Sequence, residues 1–403
     1  MLVTARACQG AFAALLVPSA LSLLTTTFTA PKDRGRAFAV YGAIAGAGGA
    51  IGLLLGGALT EYLSWRWCLY VNLIFAAVAF AGGALLLQRQ PSPVKPRLDI
   101  PGVLLVSGAL FCLVYGFSNA AAHSWHAPST WGFLAAGVAL GAGFAAWQGR
   151  AAHPLLPPRV VLDRNRGGAY LSMLIASAGL FGIFLFMTYY LQQTLGYSPL
   201  VTGVAFLPIS ACLVVVSNLS TIVLMPRFGP KPLVTSGMLA AAGGAVWLAQ
   251  LGQHTGYAGG VLGPLILAGI GLGLVIAPVI NTGTFGVAPQ DAGEASATVT
   301  VGQQLGASVG TALLSTIFAT AVTSYITAHL AAARIIGRQA LTGLALAHGY
   351  DTVFWWTAGI FAGGAVIGGA LLRSGPLGQR RTPPLAEAEA PTAQAKAGPA
   401  LPT

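Results

Sequence analysis

Apolar runs of about twenty residues follow one another along this chain, separated by short stretches richer in charge, proline and glycine. A helix needs about 20 consecutive apolar residues to cross the hydrocarbon of a bilayer. Eleven runs meet that length and predict eleven spans, near 5–28, 38–60, 67–88, 101–119, 131–148, 168–192, 201–225, 232–251, 260–281, 296–326 and 353–373. The stretch 327–352 is read as external, able to form a short interfacial helix. After Arg373 the chain turns polar and Pro/Ala-rich, so 374–403 reads as a disordered tail.

Composition agrees with the pattern. Of 403 residues, 55% are hydrophobic and 7% charged, against about 25% charged in a soluble domain. Nine acidic and twenty basic side chains cannot coat a globule of this size, and mean hydropathy is +0.75. The fold class is therefore an all-α polytopic membrane protein. A net charge of +11 would suit nucleic acid if it were clustered, but the basic residues lie scattered between apolar runs, which excludes that partner. Sixteen of the twenty Lys and Arg residues fall in alternate loops and the tail, among them Lys32, Arg34 and Arg36, Arg159 to Arg166, and Arg373 to Lys396. The positive-inside rule makes that side cytoplasmic. The expected location is the plasma (inner) membrane, multi-pass, with a cytoplasmic C-terminus.

Catalytic chemistry finds no support. No nucleophile–base set, Walker loop or redox motif occurs, and Gly269 to Gly273 follow no strand, so the chain is read as neither an enzyme nor a nucleotide binder. The four cysteines lack CxxC spacing. His123 and His126 flank Trp125 in an external loop without an acidic partner, which predicts no metal site. No cofactor is implied.

Two features within the spans point elsewhere. Arg6 sits in an apolar segment, where a cation costs about 2.5–3.5 kcal/mol on insertion scales, so it faces polar partners or snorkels to the surface. Gly48, Gly52 and Gly56 recur every fourth residue with Gly57 beside them, a smooth face that lets another helix approach.

Together these segments resemble the Major Facilitator Superfamily, specifically its fourteen-span drug:proton antiporters. Arg6, Gln9 and Gly10 in RACQG are similar to the family's fourth-span motif. PKDRGRAFAVYGA, with Asp33, Arg34 and Arg36, is similar to its basic loop between spans four and five. Gly48, Gly52, Gly56 and Gly57 resemble the fifth-span antiporter motif, and SWRWCLYVN resembles the start of span six. Tyr189 to Pro208 resembles the link between spans nine and ten, and Pro289 to Leu313 the passage from span twelve to thirteen. Leu53 and Ile74 stand where the family carries proline; Leu53 restores a backbone N–H and removes a kink.

The resemblance implies a division. Residues 1–90 match family spans four to six in the N-terminal half, 91–150 two extra central spans, and 151–373 a six-helix C-terminal half. Spans one to three are then expected to be absent, which agrees with eleven runs and with Met1 falling outside. Superfamily halves are built of paired three-helix repeats, so one repeat is expected to be missing.

The resemblance implies proton-coupled efflux of drugs or antibiotics by the full-length protein, with bilayer, protons and a small amphipathic or cationic substrate as partners. Oligomeric state is left open. No acidic residue lies deep in a span, whereas coupling commonly uses an intramembrane carboxylate. The 403-residue chain alone is therefore expected to show no proton-driven transport. Tyr189, Tyr190, Gln192, Asn218, Gln303 and Gln304 are the candidate substrate path, since aromatic faces attract cations. The rival readings are a truncated, non-transporting membrane protein or partner subunit, and a small-metabolite carrier of the same fold.

Overall fold

The computed structural model describes residues 2–27, 48, 51–86, 99–122, 125, 127–151, 154, 156, 162–252, 255–287, 292–330 and 337–375. Among them no strand occurs, and the helical runs follow the predicted order. They are α1 (Leu2–Thr27), α2 (Ile51–Tyr62), α3 (Trp67–Leu86), α4 (Ile100–Ala122), α5 (Pro128–Gln148), α6 (Arg164–Thr194), α7 (Pro199–Phe228), α8 (Pro230–Leu248), α9 (Tyr257–Thr284), α10 (Ala292–Ala328) and α11 (Arg338–Leu371). Eight of these are long and apolar enough to cross a membrane: α3 to α7 and α9 to α11. Asp33, Arg34 and Arg36 lie outside the described residues, as does the tail beyond 375.

One boundary differs from expectation. The last helix begins at Arg338 and runs unbroken to Leu371, so much of the stretch read as an external loop is helix continuous with the final span. Leu341, Ala345 and Gly349 are buried at four-residue spacing, which gives this segment a packed face. At 1.5 Å per residue its 34 residues reach about 51 Å, beyond a hydrocarbon core of about 30 Å.

Helices α6 to α11 share one apolar core, with α8 packed on α9 and α11, α9 on α7, and α10 on α6. Close approach comes from small residues, because lipid supplies no hydrophobic drive between helices. The glycines at 269–273 illustrate this. Cβ atoms at Gly269 and Gly273 would lie 2.6 Å from the Ile209 carbonyl and 2.8 Å from Val216 Cβ of α7, whereas Gly271 faces Ala241 of α8. Alternate positions thus admit a different neighbour on each side of α9. Tyrosine hydroxyls bridge the same core: Tyr170 donates to the Gly283 carbonyl (2.9 Å) and Tyr257 to that of Ala205 (2.8 Å). Gly229, at φ +76°, makes the one-residue turn between α7 and α8, a conformation that side chains with a Cβ rarely adopt.

Helices α4 and α5 form a hairpin held at both ends by polar contacts. At one end Asp99 accepts from Gly102 N–H (3.0 Å), Trp147 Nε1 (2.8 Å) and Gln148 Nε2 (2.9 Å). At the other, Asn119 Nδ2 donates to Ser129 Oγ and Thr130 Oγ1, both at 2.9 Å. The hairpin rests against α10.

Candidate substrate path and the contact between α2 and α7

The residues singled out near the start of the chain fall on two helices. Arg6 Nη1 donates to Gln9 Oε1 at 2.8 Å, one turn along α1, and both side chains are exposed. The arginine therefore carries a polar partner from its own helix. Gly10 is also exposed, with no described residue within 4 Å of a Cβ built on it. Nor does any described residue lie within 4 Å of a Cβ built on Gly48, Gly52 or Gly56, of which Gly48 and Gly52 are exposed and Gly56 half-buried.

Gly57 differs from these. A Cβ there would stand 2.8 Å from the Pro199 carbonyl and 2.9 Å from Leu200 Cα. Four residues earlier, the Leu53 carbonyl lies 2.8 Å from where a Cβ of Gly203 would be. Four residues later, Glu61 Oε2 accepts from Ser198 Oγ (2.6 Å) and from the Leu200 N–H (2.9 Å). Leu53, Gly57 and Glu61 thus form the face of α2 that meets the start of α7. The carboxylate satisfies a backbone donor in the first turn of α7, where orphan N–H groups and the helix dipole favour an anion. Sequence reading gave Glu61 no role; its spacing from Leu53 and Gly57 was the available signal.

The aromatic and amide residues of the expected path divide by burial. Tyr190 has no exposed surface; its hydroxyl donates to the Gly252 carbonyl (2.8 Å), and its ring meets Tyr350 edge-on at 5.6 Å. The structure therefore places Tyr190 in the core, because its ring fills the space between α6 and α11 and its hydroxyl finds a carbonyl there. Tyr189 points away from that core and is 38% exposed. Gln192 is exposed within a π-helical turn, Tyr190–Thr194, that ends α6. Asn218 is exposed on α7, with Nδ2 donating to the Val214 carbonyl at 2.8 Å. On α10, Gln304 is exposed and Gln303 half-buried.

Beyond Asn218 a second π-helical turn, Ser220–Leu224, carries an extra residue in the turn and shifts the side chains after it. Ser217 and Ser220 hydroxyls both donate to the Gly273 carbonyl, at 3.3 and 3.2 Å, which fixes the turn against α9. Next to it is a cavity of about 210 Å³ lined by Thr221, Met225, Pro226, Asn281 and Phe285. Thr221 and Asn281 extend the polar surface begun by Asn218, and sequence reading named neither. Among the described residues no cluster of three His, Cys, Asp or Glu side chains could hold a metal ion. His123 and His126 lie outside those residues.

Comparison with known proteins adds the family. The profile of the Major Facilitator Superfamily matches residues 1–311. The puromycin resistance protein pur8 of Streptomyces alboniger is 44% identical over 375 residues, 93% of this chain and 73% of that protein. The cephamycin export protein CmcT of Amycolatopsis lactamdurans is 38% identical over 319 residues, covering 78% of this chain and 66% of its own length. The tetracenomycin C resistance and export protein of Streptomyces glaucescens is 37% identical over 331 residues, 80% and 59% respectively. The chain therefore spans from 59% to 73% of the length of these relatives. With the profile covering most of its length and its helices packed as membrane spans, the chain belongs to the Major Facilitator Superfamily.

Proposed function

We propose that the full-length protein exports antibiotics or similar small amphipathic or cationic molecules across the plasma (inner) membrane in exchange for protons, with its C-terminus in the cytoplasm. The observation that carries the reading is the 44% identity, over 93% of the chain, with a puromycin resistance protein. The export proteins for cephamycin and tetracenomycin C support the same class of cargo. In this reading 1–90 belongs to the N-terminal half, 91–150 is the central hairpin, and 151–373 is the C-terminal half. The exposed face with Tyr189, Asn218, Thr221, Asn281 and Gln304 supplies the C-terminal wall of the path. The exposed Arg6–Gln9 pair supplies polar groups on the other. The contact of Glu61 with Ser198 and Leu200 closes the path on the side opposite the basic loops, and breaks as the halves part.

The test is puromycin accumulation in a sensitive bacterial host expressing the gene from its native start. Accumulation is expected to fall several-fold and to recover when a protonophore collapses the proton gradient. Equal accumulation with and without the gene overturns export. Reduced accumulation that a protonophore leaves untouched overturns proton coupling alone.

A further inference from the structure

Three segments distant in sequence meet on the side of the basic loops: the start of α6, the turn between α7 and α8, and the end of α11. Arg164 Nη2 of α6 donates to the Ala370 carbonyl of α11, and Asn165 Oδ1 accepts from the Arg373 N–H at 2.7 Å. Gly229, in the turn between α7 and α8, lies against the Gly375 carbonyl, too close for a side chain. Farther in, Val234 of α8 lies against Gly368 of α11, and Met238 against Gly364. The two helices are therefore antiparallel, in a register that puts Lys231 at the level of Arg373.

Five cations are gathered there: Arg164 and Arg166, Arg227 and Lys231, and Arg373. Two of them are accounted for. Arg164 is engaged by the end of α11. Arg166 Nε lies 3.9 Å from Asp163, whose carboxylate also caps α6 by accepting the Asn165 and Arg166 N–H groups at 3.1 Å. Among the described residues, the side chains of Arg227, Lys231 and Arg373 meet no partner. Lys231 moreover stands in the first turn of α8, which holds no acid and where the helix dipole disfavours a cation. The positive-inside rule asks only for basic residues somewhere in a loop. It calls neither for their convergence from separate segments nor for a lysine at the positive end of a helix. An anion among them offsets both costs. The surroundings say which kind of anion. Phe228 beside Arg227 is 57% exposed, and Leu239 of α8 and Val366 of α11 are 55% and 72% exposed. At 1.5 Å per residue, the last two stand about 10–12 Å deeper than the cations of their own segments. Cations bordered by outward apolar side chains match the headgroup level of a bilayer.

We propose that this patch binds the phosphate of an anionic phospholipid in the leaflet on the side of the basic loops. Lys231 and Arg373 hold the phosphate from two helices, Arg227 adds charge from the turn, and the acyl chains run along Leu239 and Val366. The lipid thus fastens the start of α8 to the end of α11. The site stands whether or not the protein exports antibiotics, so its test is binding rather than transport.

The probes are phosphatidylglycerol and, as its zwitterionic counterpart, phosphatidylcholine with the same chains. Each is titrated against the purified protein in detergent, and retained lipid is counted by native mass spectrometry. Phosphatidylglycerol is expected to be held on the order of tenfold more strongly. Lys231→Gln and Arg373→Gln should each weaken its retention about fivefold, as loss of one cation facing an anionic lipid would, and leave phosphatidylcholine unchanged. Arg373→Gln keeps the backbone N–H that Asn165 accepts. Lys231→Arg keeps the charge and should bind within about twofold of the parent, which separates charge from misfolding. Arg150→Gln removes a cation beyond the end of α5, whose side chain donates to the Ala146 carbonyl, and should change nothing. Inorganic phosphate at millimolar concentration should not displace the lipid. Equal retention of the two lipids, displacement by inorganic phosphate, or losses in Arg150→Gln as large as those in Lys231→Gln and Arg373→Gln overturn the proposal.

Discussion

Two glycine rows in this protein share one spacing and meet different fates. Gly48, Gly52 and Gly56 recur every fourth residue, and so do Gly302, Gly306 and Gly310. Nothing among the described residues lies within 4 Å of a Cβ built on the first row. The second row carries a helix directly on its backbone. A Cβ on Gly306 would overlap the Leu174 carbonyl, and one on Gly310 would stand 2.5 Å from Ala178 Cα. Gly302 faces the Tyr170 carbonyl in the same way, at 3.3 Å. The partner makes the difference: α6 offers positions 170, 174 and 178 at matching spacing, with Ser177, Ala178 and Gly179 buried around the crossing. Four-residue spacing states that a helix face is smooth. Whether another helix lies there depends on a second smooth face elsewhere in the chain.

The largest effect should come from filling the occupied row. Gly306→Leu drives four carbon atoms into the α6 backbone, and overpacking of this kind costs about 1–3 kcal/mol or more, since backbone cannot step aside as a flexible side chain can. The thermal midpoint in detergent should drop markedly. Gly52→Leu, on the open row, should leave it nearly unchanged. Equal losses in the two variants would mean that the two rows are packed alike, and the contrast would fail.

Hydropathy could not have drawn that contrast. Helix α3 and helix α6 have almost the same mean hydropathy, 2.1 and 2.0, yet no residue in the apolar window of α3 is buried while 56% are in that of α6. Apolarity states that a segment prefers lipid to water, and a lipid-facing leucine satisfies it as well as a core one. This explains what could be read from the chain alone. The helical runs and their order were legible because each must be about 20 residues long and apolar. The start of α11 was missed because Arg338, His348 and Asp351 interrupt apolarity, although Leu341, Ala345 and Gly349 already carried a helical face. Tyr189 and Tyr190 look alike in sequence, and only tertiary placement sends one outward and the other between α6 and α11. Asp99 reads as a loop charge, yet it receives Trp147 and Gln148 from nearly fifty residues away.

A smaller effect should come from the contact of α2 with α7, which stands between the two rows in character: backbone meets backbone at Gly57, but an exposed carboxylate closes it. Glu61→Ala and Ser198→Ala, alone and together, form a double-mutant cycle on the 2.6 Å hydrogen bond. Solvent screens an exposed carboxylate, so coupling should be about 0.5 kcal/mol. Ser198 also caps its own helix, its hydroxyl oxygen accepting from the Val201 N–H at 3.4 Å. Ser198→Ala should therefore cost more than Glu61→Ala, by the loss of a cap that is worth about 1 kcal/mol. Strict additivity of the two substitutions would show that the Ser198 hydroxyl is not coupled to the carboxylate, leaving the Leu200 N–H as the contact by which Glu61 holds α2 on α7.

The smallest effect is also the sharpest test of the open row, because its sign is the reverse of the others. Gly52→Ala adds one methyl group where no described residue lies within 4 Å. In a helix interior alanine is favoured over glycine by up to about 1 kcal/mol, since glycine loses more backbone freedom on folding. With no neighbour to offset that gain, Gly52→Ala should raise the thermal midpoint slightly, whereas Gly310→Ala, whose methyl meets Ala178, should lower it. A fall at Gly52 as well would require a helix lying on that face, and would make the two rows equivalent after all.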